Sequence, residues 1–166
     1  MQEQNAAQGK HTVFVSYAHE SVAFGAQVEQ LCVWLRSQGI SLECDFDHAD
    51  RPPPKGWTTW MQHGIEDASV VLVVASPKYK ARFEKRAAPD SGRGVAWEGA
   101  IITQDLYDAA LCNHKFYPIR PDGGSPDDVP KALRPWDNKH LFPSGQEGIL
   151  KLIRLCFSGR PPTTAS

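Results

Sequence analysis

Ser69-Val70-Val71-Leu72-Val73-Val74-Ala75-Ser76, SVVLVVAS, runs apolar from Val70 to Ala75 with no polar residue between. A strand with one wet face alternates apolar and polar side chains; this run does not, so both of its faces must be covered. It is short for a helix and rich in β-branched valine, which favours a strand. The segment therefore reads as a central strand of a parallel sheet with helices on either side.

Working outward, Trp57 to Asp67 forms a helix in this reading, and Ile40 to Phe46 alternates as a half-covered strand does. Ser21 to Gln38 places Phe24, Val28, Leu31, Cys32 and Leu35 on one helical face, with Gly39 as the stop. Thr12 to Tyr17 is a first strand, β-branched and aromatic. On the other side comes a broken helical region with its main part from about Val95 to Ala110. Lys115 to Arg120 follows as a strand whose Pro118 confines it to the edge side of a sheet. Leu141-Phe142 is a last short strand, and Gly148 to Phe157 closes the chain as an amphipathic helix with Ile149, Leu152, Ile153 and Cys156 on one face.

This alternation predicts an α/β, flavodoxin-like fold: a central parallel five-stranded sheet of order 2-1-3-4-5 with helices on both faces. In that order the first and third strands flank the topological switch point. Their carboxyl ends, Ser16-Tyr17 and Ser76-Pro77, then border the crevice where open α/β sheets bind ligands.

A chain of 166 residues with 41% hydrophobic side chains has the size of one domain. Residues 1–10 and 159–166 have the composition of a disordered N-terminal segment and a tail or linker, which leaves 11–158 as the domain. With 18 Lys and Arg against 19 Asp and Glu, the net charge of -1 gives no basic footprint for nucleic acid or a membrane surface. Four cysteines lie far apart and read as reduced thiols, and no apolar run approaches the roughly 20 residues of a membrane span, so a cytoplasmic location is expected. Six scattered histidines show no metal-ligand spacing, His19 among them as a loop residue after the first strand, and no metal is expected.

Several chemistries lose support on motif grounds. The chain has neither a G-x-G-x-x-G after a strand nor a G-x-x-x-x-G-K-[ST] loop. It has no G-x-S-x-G elbow. A phosphoacceptor receiver of this topology needs acidic residues after the first strand and an aspartate ending the third, where Ser16 and Ser76 stand.

Four blocks in order resemble a SEFIR domain of the wider TIR superfamily: Val13 to Ala18; Cys44-Asp45-Phe46-Asp47 running into Pro52-Pro53-Pro54-Lys55-Gly56-Trp57 and Trp60-Met61; Ala68 to Tyr79; and Gly92-Arg93-Gly94-Val95-Ala96-Trp97-Glu98. The resemblance runs from about Thr12 to Phe157 and implies the TIR-type form of the same fold. In animals such domains are adaptors that associate with one another in immune-receptor signalling. Many bacterial and plant TIR domains, and some bacterial SEFIR proteins in phage defence, hydrolyse NAD. The resemblance thus implies a domain of immune, including anti-phage, signalling that self-associates into a filament or other higher oligomer. It further implies an NAD glycohydrolase cutting the nicotinamide-ribose bond, with NAD as substrate and no cofactor. The alternative is a non-enzymatic homotypic adaptor; a third reading is a small-molecule sensor using the same crevice.

Under this resemblance Glu98 is the catalytic candidate. A helix starting near Gly94 puts Glu98 in its first turn, where the helix dipole alone gives a carboxylate a few tenths to about 1 kcal/mol. Against that, Trp97 beside it and Ile101 and Ile102 along its flank desolvate it and raise its proton affinity, as in functional carboxylates. Nicotinamide leaves NAD neutral, so one carboxylate that stabilises the oxocarbenium-like ribose suffices without a general acid.

Ser16, Tyr17, Arg93 and Trp97 are the substrate-binding candidates. Ser16 and Tyr17 stand at the end of the first strand, Tyr17 by stacking or else as packing, and Arg93 meets a phosphate or is solvated in its loop. Asp47, Pro53, Pro54, Gly56 and Trp57 form the candidate interface. They lie in the loop after the second strand, the BB loop of related domains, which reaches a neighbouring subunit. The other reading of this loop is a rigid surface turn with Trp57 and Trp60 anchoring the next helix to the core; for Trp60 the anchor is the reading preferred, for Trp57 and the prolines the interface. Consecutive prolines are preorganised, which lowers the entropy cost of binding.

Overall fold

The computed structural model describes residues 11–48, 51, 53, 54, 56–84, 115–137 and 140–158. The expected terminal segments 1–10 and 159–166 and the helical stretch over 95–110 lie outside the described residues.

Five strands, β1 (Val13–Ser16), β2 (Leu42–Glu43), β3 (Val70–Val74), β4 (Phe116–Pro121) and β5 (Leu141–Phe142), make one sheet of order β2-β1-β3-β4-β5 with every pair parallel. This is the flavodoxin-like order that the alternation predicts. Val70, Leu72 and Val74 enter one core with α1 (Val22–Ser37) and α4 (Gln146–Phe157). Val71 and Val73 enter the other with α2 (Trp57–Asp67) and α3 (Pro77–Phe83). All five β3 side chains are 0% exposed. Full burial is worth about 1.5–3 kcal/mol for each such side chain, so β3 is the anchor on which both layers close.

The ends of α1 follow local rules. Ser21 caps it, its hydroxyl accepting from the Phe24 N–H at 3.1 Å. At the other end Gly39, at φ +88°, donates its N–H to the Arg36 carbonyl, and the Ile40 N–H reaches back to the Leu35 carbonyl. Both bonds belong to a Schellman stop, which needs a left-handed residue at that position. Phe24, Val28, Leu31, Cys32 and Leu35 are the buried residues of the helix, as its periodicity predicts.

Two expectations are corrected. Ile40 to Phe46 does not run as one strand: Leu42 and Glu43 alone pair with β1, and Asp45–His48 turns into a 3₁₀ helix. The Asp47 carboxylate accepts from the Cys44 N–H at 3.3 Å and from the Arg36 guanidinium at 2.8 and 2.9 Å, a local bond that competes with the ladder. Nor does Pro118 put β4 at the edge, for β4 lies between β3 and β5. The Arg120 N–H, two residues on and so on the same flank, donates to the His140 carbonyl, and β5 is in register with Arg120 and Pro121 alone. The amide that Pro118 lacks therefore faces the outer flank, short of the paired residues of β5.

The closing helix starts two residues before Gly148, and Leu150 joins Ile149, Leu152 and Ile153 in the core while Cys156 is half-buried. Where the sequence predicts a broken helical region after β3, its first piece is α3. Pro77 opens it with a φ already suited to a helix.

Candidate functional site

β1 and β3 lie side by side at the switch point, with Ser16 in register with Val73. One side chain ties their carboxyl ends together. The Tyr79 hydroxyl meets the Ser16 hydroxyl at 2.7 Å, and the Tyr79 N–H donates to the Ser76 hydroxyl at 3.2 Å. Ser76 thereby caps α3, and Ser16, Ser76 and Tyr79 are all buried. The floor of the crevice is a closed hydrogen-bonded unit built from residues 63 positions apart.

Tyr17 follows directly and is 8% exposed. Its ring stacks on His19 at a centroid distance of 4.9 Å and on Phe46 at 5.3 Å, with Phe24 tilted against it at 6.5 Å. Burial pushes its phenol well above the usual tyrosine range, and the nearby Asp45 carboxylate adds to the shift. The sequence offered stacking or packing for this residue; the ring is packed, and neither Ser16 nor Tyr17 presents an open surface to a ligand.

The rim above them is polar and held by cross-links between loops. His19 Nε2 pairs with Asp45 Oδ2 at 2.8 Å, the histidine side chain 71% and the aspartate 24% exposed. The Glu20 carboxylate accepts from the Lys78 N–H, and Lys78 Nζ donates to the His19 carbonyl at 3.4 Å. The loop after β1 is thus fastened to the loop after β2 by the His19–Asp45 hydrogen bond, an ion pair only when His19 is protonated, and to the start of α3 by two hydrogen bonds.

Of the candidate interface, Asp47 is engaged with Arg36 inside the chain, and Pro53 is buried while Pro54 and Gly56 are exposed. The Gly56 N–H closes a turn on the Pro53 carbonyl at 2.9 Å, and its φ of +87° demands glycine or strain. Trp57 begins α2; its side chain lies outside what is described. Trp60 is half-buried, its ring 5.2 Å from that of Phe14, and anchors the helix as expected. Glu98, Arg93 and Trp97 lie outside the described residues.

Sequence reasoning missed the tie at Tyr79 and the rim pair Glu20 and Lys78. Ser76-Pro77 does read as the start of a helix, and it could have placed Tyr79 two residues past that proline in the first turn. That Tyr79 reaches back to Ser16 has no sequence signal. Among the described residues no helix is long and apolar enough to cross a membrane, and no group of three His, Cys, Asp or Glu is placed to hold a metal.

With this geometry in hand, comparison with known proteins gives a consistent result. A family model described as TIR domain matches residues 13–153. The chain is similar in fold to a prokaryotic SEFIR domain, at 23% identity and a TM-score of 0.64, over 93% of this chain and 99% of that one. It is also similar to a metazoan TIR-STING receptor from C. gigas, at 16% identity and a TM-score of 0.58, over 92% of this chain. The same receptor in complex with 2′,3′-cGAMP gives 19% identity and a TM-score of 0.57 over 87% of this chain. The chain spans 42% of the first receptor chain and 40% of the second. No curated protein matches it.

Proposed function

The chain belongs to the TIR domain family, a family of signalling domains, and from that premise we propose that it self-associates and, once assembled, cleaves the nicotinamide-ribose bond of NAD. The observation that supports this best is the adjacency of β1 and β3 at the point where the strand order reverses, since their carboxyl ends are where an open α/β sheet takes its ligand. The rim there carries the groups a dinucleotide needs: Asp45 and Glu20 can accept from ribose hydroxyls, and Lys78 is a cation for a phosphate. In this reading Glu98 supplies the carboxylate that stabilises the ribosyl cation as neutral nicotinamide leaves. Arg93 and Trp97 contact phosphate and base, and Ser16 and Tyr17 hold the wall rather than touch the substrate. Asp47, Pro53, Pro54, Gly56 and Trp57 belong to the loop through which copies meet, head to tail, in the cytoplasm. Such a contact propagates into a filament unless its rotation closes.

The second reading, a non-enzymatic adaptor of immune signalling, is favoured by a different observation. The described rim groups are already bonded to one another, so a ligand that uses them must first compete with bonds made within the chain. Nicotinamide release by concentrated and artificially clustered protein separates the two. The parent is expected to release nicotinamide, and Glu98→Gln, which keeps size but removes charge, to lower the rate on the order of 10² to 10³ with folding and assembly intact. Equal rates at matched assembly would falsify the assignment of Glu98. No release from an assembled parent overturns the enzymatic reading and leaves the adaptor as the better one.

A further inference from the structure

A second concavity lies away from the crevice, under α2 at the β2 edge of the sheet, beside the beginning of β1. It encloses about 310 Å³, and Phe14, Glu43, Pro53, Trp60, His63 and Asp67 are among its lining residues. Its existence follows from the fold. β2 is two residues long and covers little of its neighbour, so the flank of β1 is left to α2. α2 sits directly on that flank: a Cβ at Gly64 would run into the Phe14 ring, so glycine is required for the approach. The close approach brings the Trp60 ring beside Phe14, tilted at 55°, and makes an aromatic wall.

Two carboxylates, Glu43 and Asp67, and one imidazole, His63, are the ionisable groups among the described lining residues. Glu43 and Asp67 are exposed carboxylates, and among the described residues neither forms an ion pair. No lysine or arginine stands among the described lining residues. An aromatic face next to two carboxylates attracts a cation twice over, by the ring quadrupole and by charge, and repels an anion. The volume is at the low end of small-molecule pockets, which run from about 300 Å³ upward, and suits one ring system with a short arm.

We propose that this cavity is a binding site for a small organic cation, an aromatic ring bearing a protonated amine or amidine, with the ring against Trp60 and Pro53 and the charge between Glu43 and Asp67. The site is separate from the crevice, and its occupancy does not depend on NAD cleavage.

Titration of the whole chain followed by calorimetry or NMR tests this with three probes of one shape: tryptamine, 3-methylindole and indole-3-acetate. Tryptamine is expected to bind with a Kd of about 1 mM or tighter, roughly tenfold better than the neutral probe, and indole-3-acetate worst. The double variant Glu43→Gln/Asp67→Asn, altered at two exposed positions, is expected to lose the preference for the cation while keeping its fold by circular dichroism. Thr59→Phe, which fills the lining from a half-buried position, is expected to abolish binding of all three. Equal affinity for the three probes, a preference for the anion, or no tryptamine binding by about 10 mM overturns the proposal. So does tryptamine binding undiminished in folded Thr59→Phe, which places it elsewhere.

Discussion

The crevice and the cavity under α2 flank the same strand and treat their polar groups in opposite ways. At the crevice Ser16 is bonded to Tyr79, His19 to Asp45 and Glu20 to Lys78. Under α2 the Glu43 and Asp67 carboxylates have no ion-pair partner among the described residues. A hydrogen bond within the chain shapes a wall, but a ligand must displace it before using either group, and the exchange leaves little net gain. An unpaired carboxylate beside an aromatic face is a standing attraction. On our two proposals the cavity draws only on described residues, whereas the crevice needs a group from outside them, Glu98.

The largest effect that can break this comparison is at Tyr17. If its ring is wall, as its contacts with His19, Phe24 and Phe46 indicate, Tyr17→Ala lowers folding stability by about 3–5 kcal/mol. Tyr17→Phe keeps the ring and leaves most of that stability in place. Chemical denaturation of the two variants checks both. An alanine variant as stable as the parent shows that the crevice is open where the contacts say it is closed.

A smaller effect tests the floor. Tyr79→Phe removes the hydroxyl that meets Ser16 and leaves the buried Ser16 hydroxyl without that partner, at a cost of about 1–3 kcal/mol. Adding Ser16→Ala to it is expected to restore part of the loss, because two apolar neighbours are cheaper than one orphaned hydroxyl. Strict additivity of the two substitutions shows instead that no bond couples the strand ends.

The same contrast separates what the sequence discloses from what it does not. β3 and α1 are legible because each is specified locally: an unbroken apolar run, a 3.6-residue stripe, Ser21 at one end and Gly39 at the other. The shortening of β2 is not, because it depends on Arg36 of the preceding helix reaching Asp47. Pro118 was legible as a constraint but not as a position, since its flank is set by where the two residues of β5 fall. At the site, the strand ends follow from topology alone, so Ser16 and Ser76 could be placed. The burial of Tyr17 could not, because Phe46 and His19 cover it from two different loops. Glu98 is legible through resemblance and through its neighbours Trp97, Ile101 and Ile102, and no described contact bears on it.

The smallest expected effect concerns the rim, and it decides whether a closed crevice can open at all. His19 and Asp45 are partly solvated, so at a pH where His19 is protonated their 2.8 Å pair belongs among surface ion pairs, which contribute about 0.2–1 kcal/mol. A double-mutant cycle with His19→Gln and Asp45→Asn is expected to give a coupling within that range, and weaker in high salt than in low, as screening requires. A pair this weak gives way to a ligand or a second subunit that offers Asp45 a better donor, which on our proposal is a ribose hydroxyl. A coupling above about 2 kcal/mol, insensitive to salt, is what a buried and dehydrated pair gives. In that case the rim is a lock, substrate cannot enter between β1 and β3, and the adaptor reading gains what the enzymatic one loses.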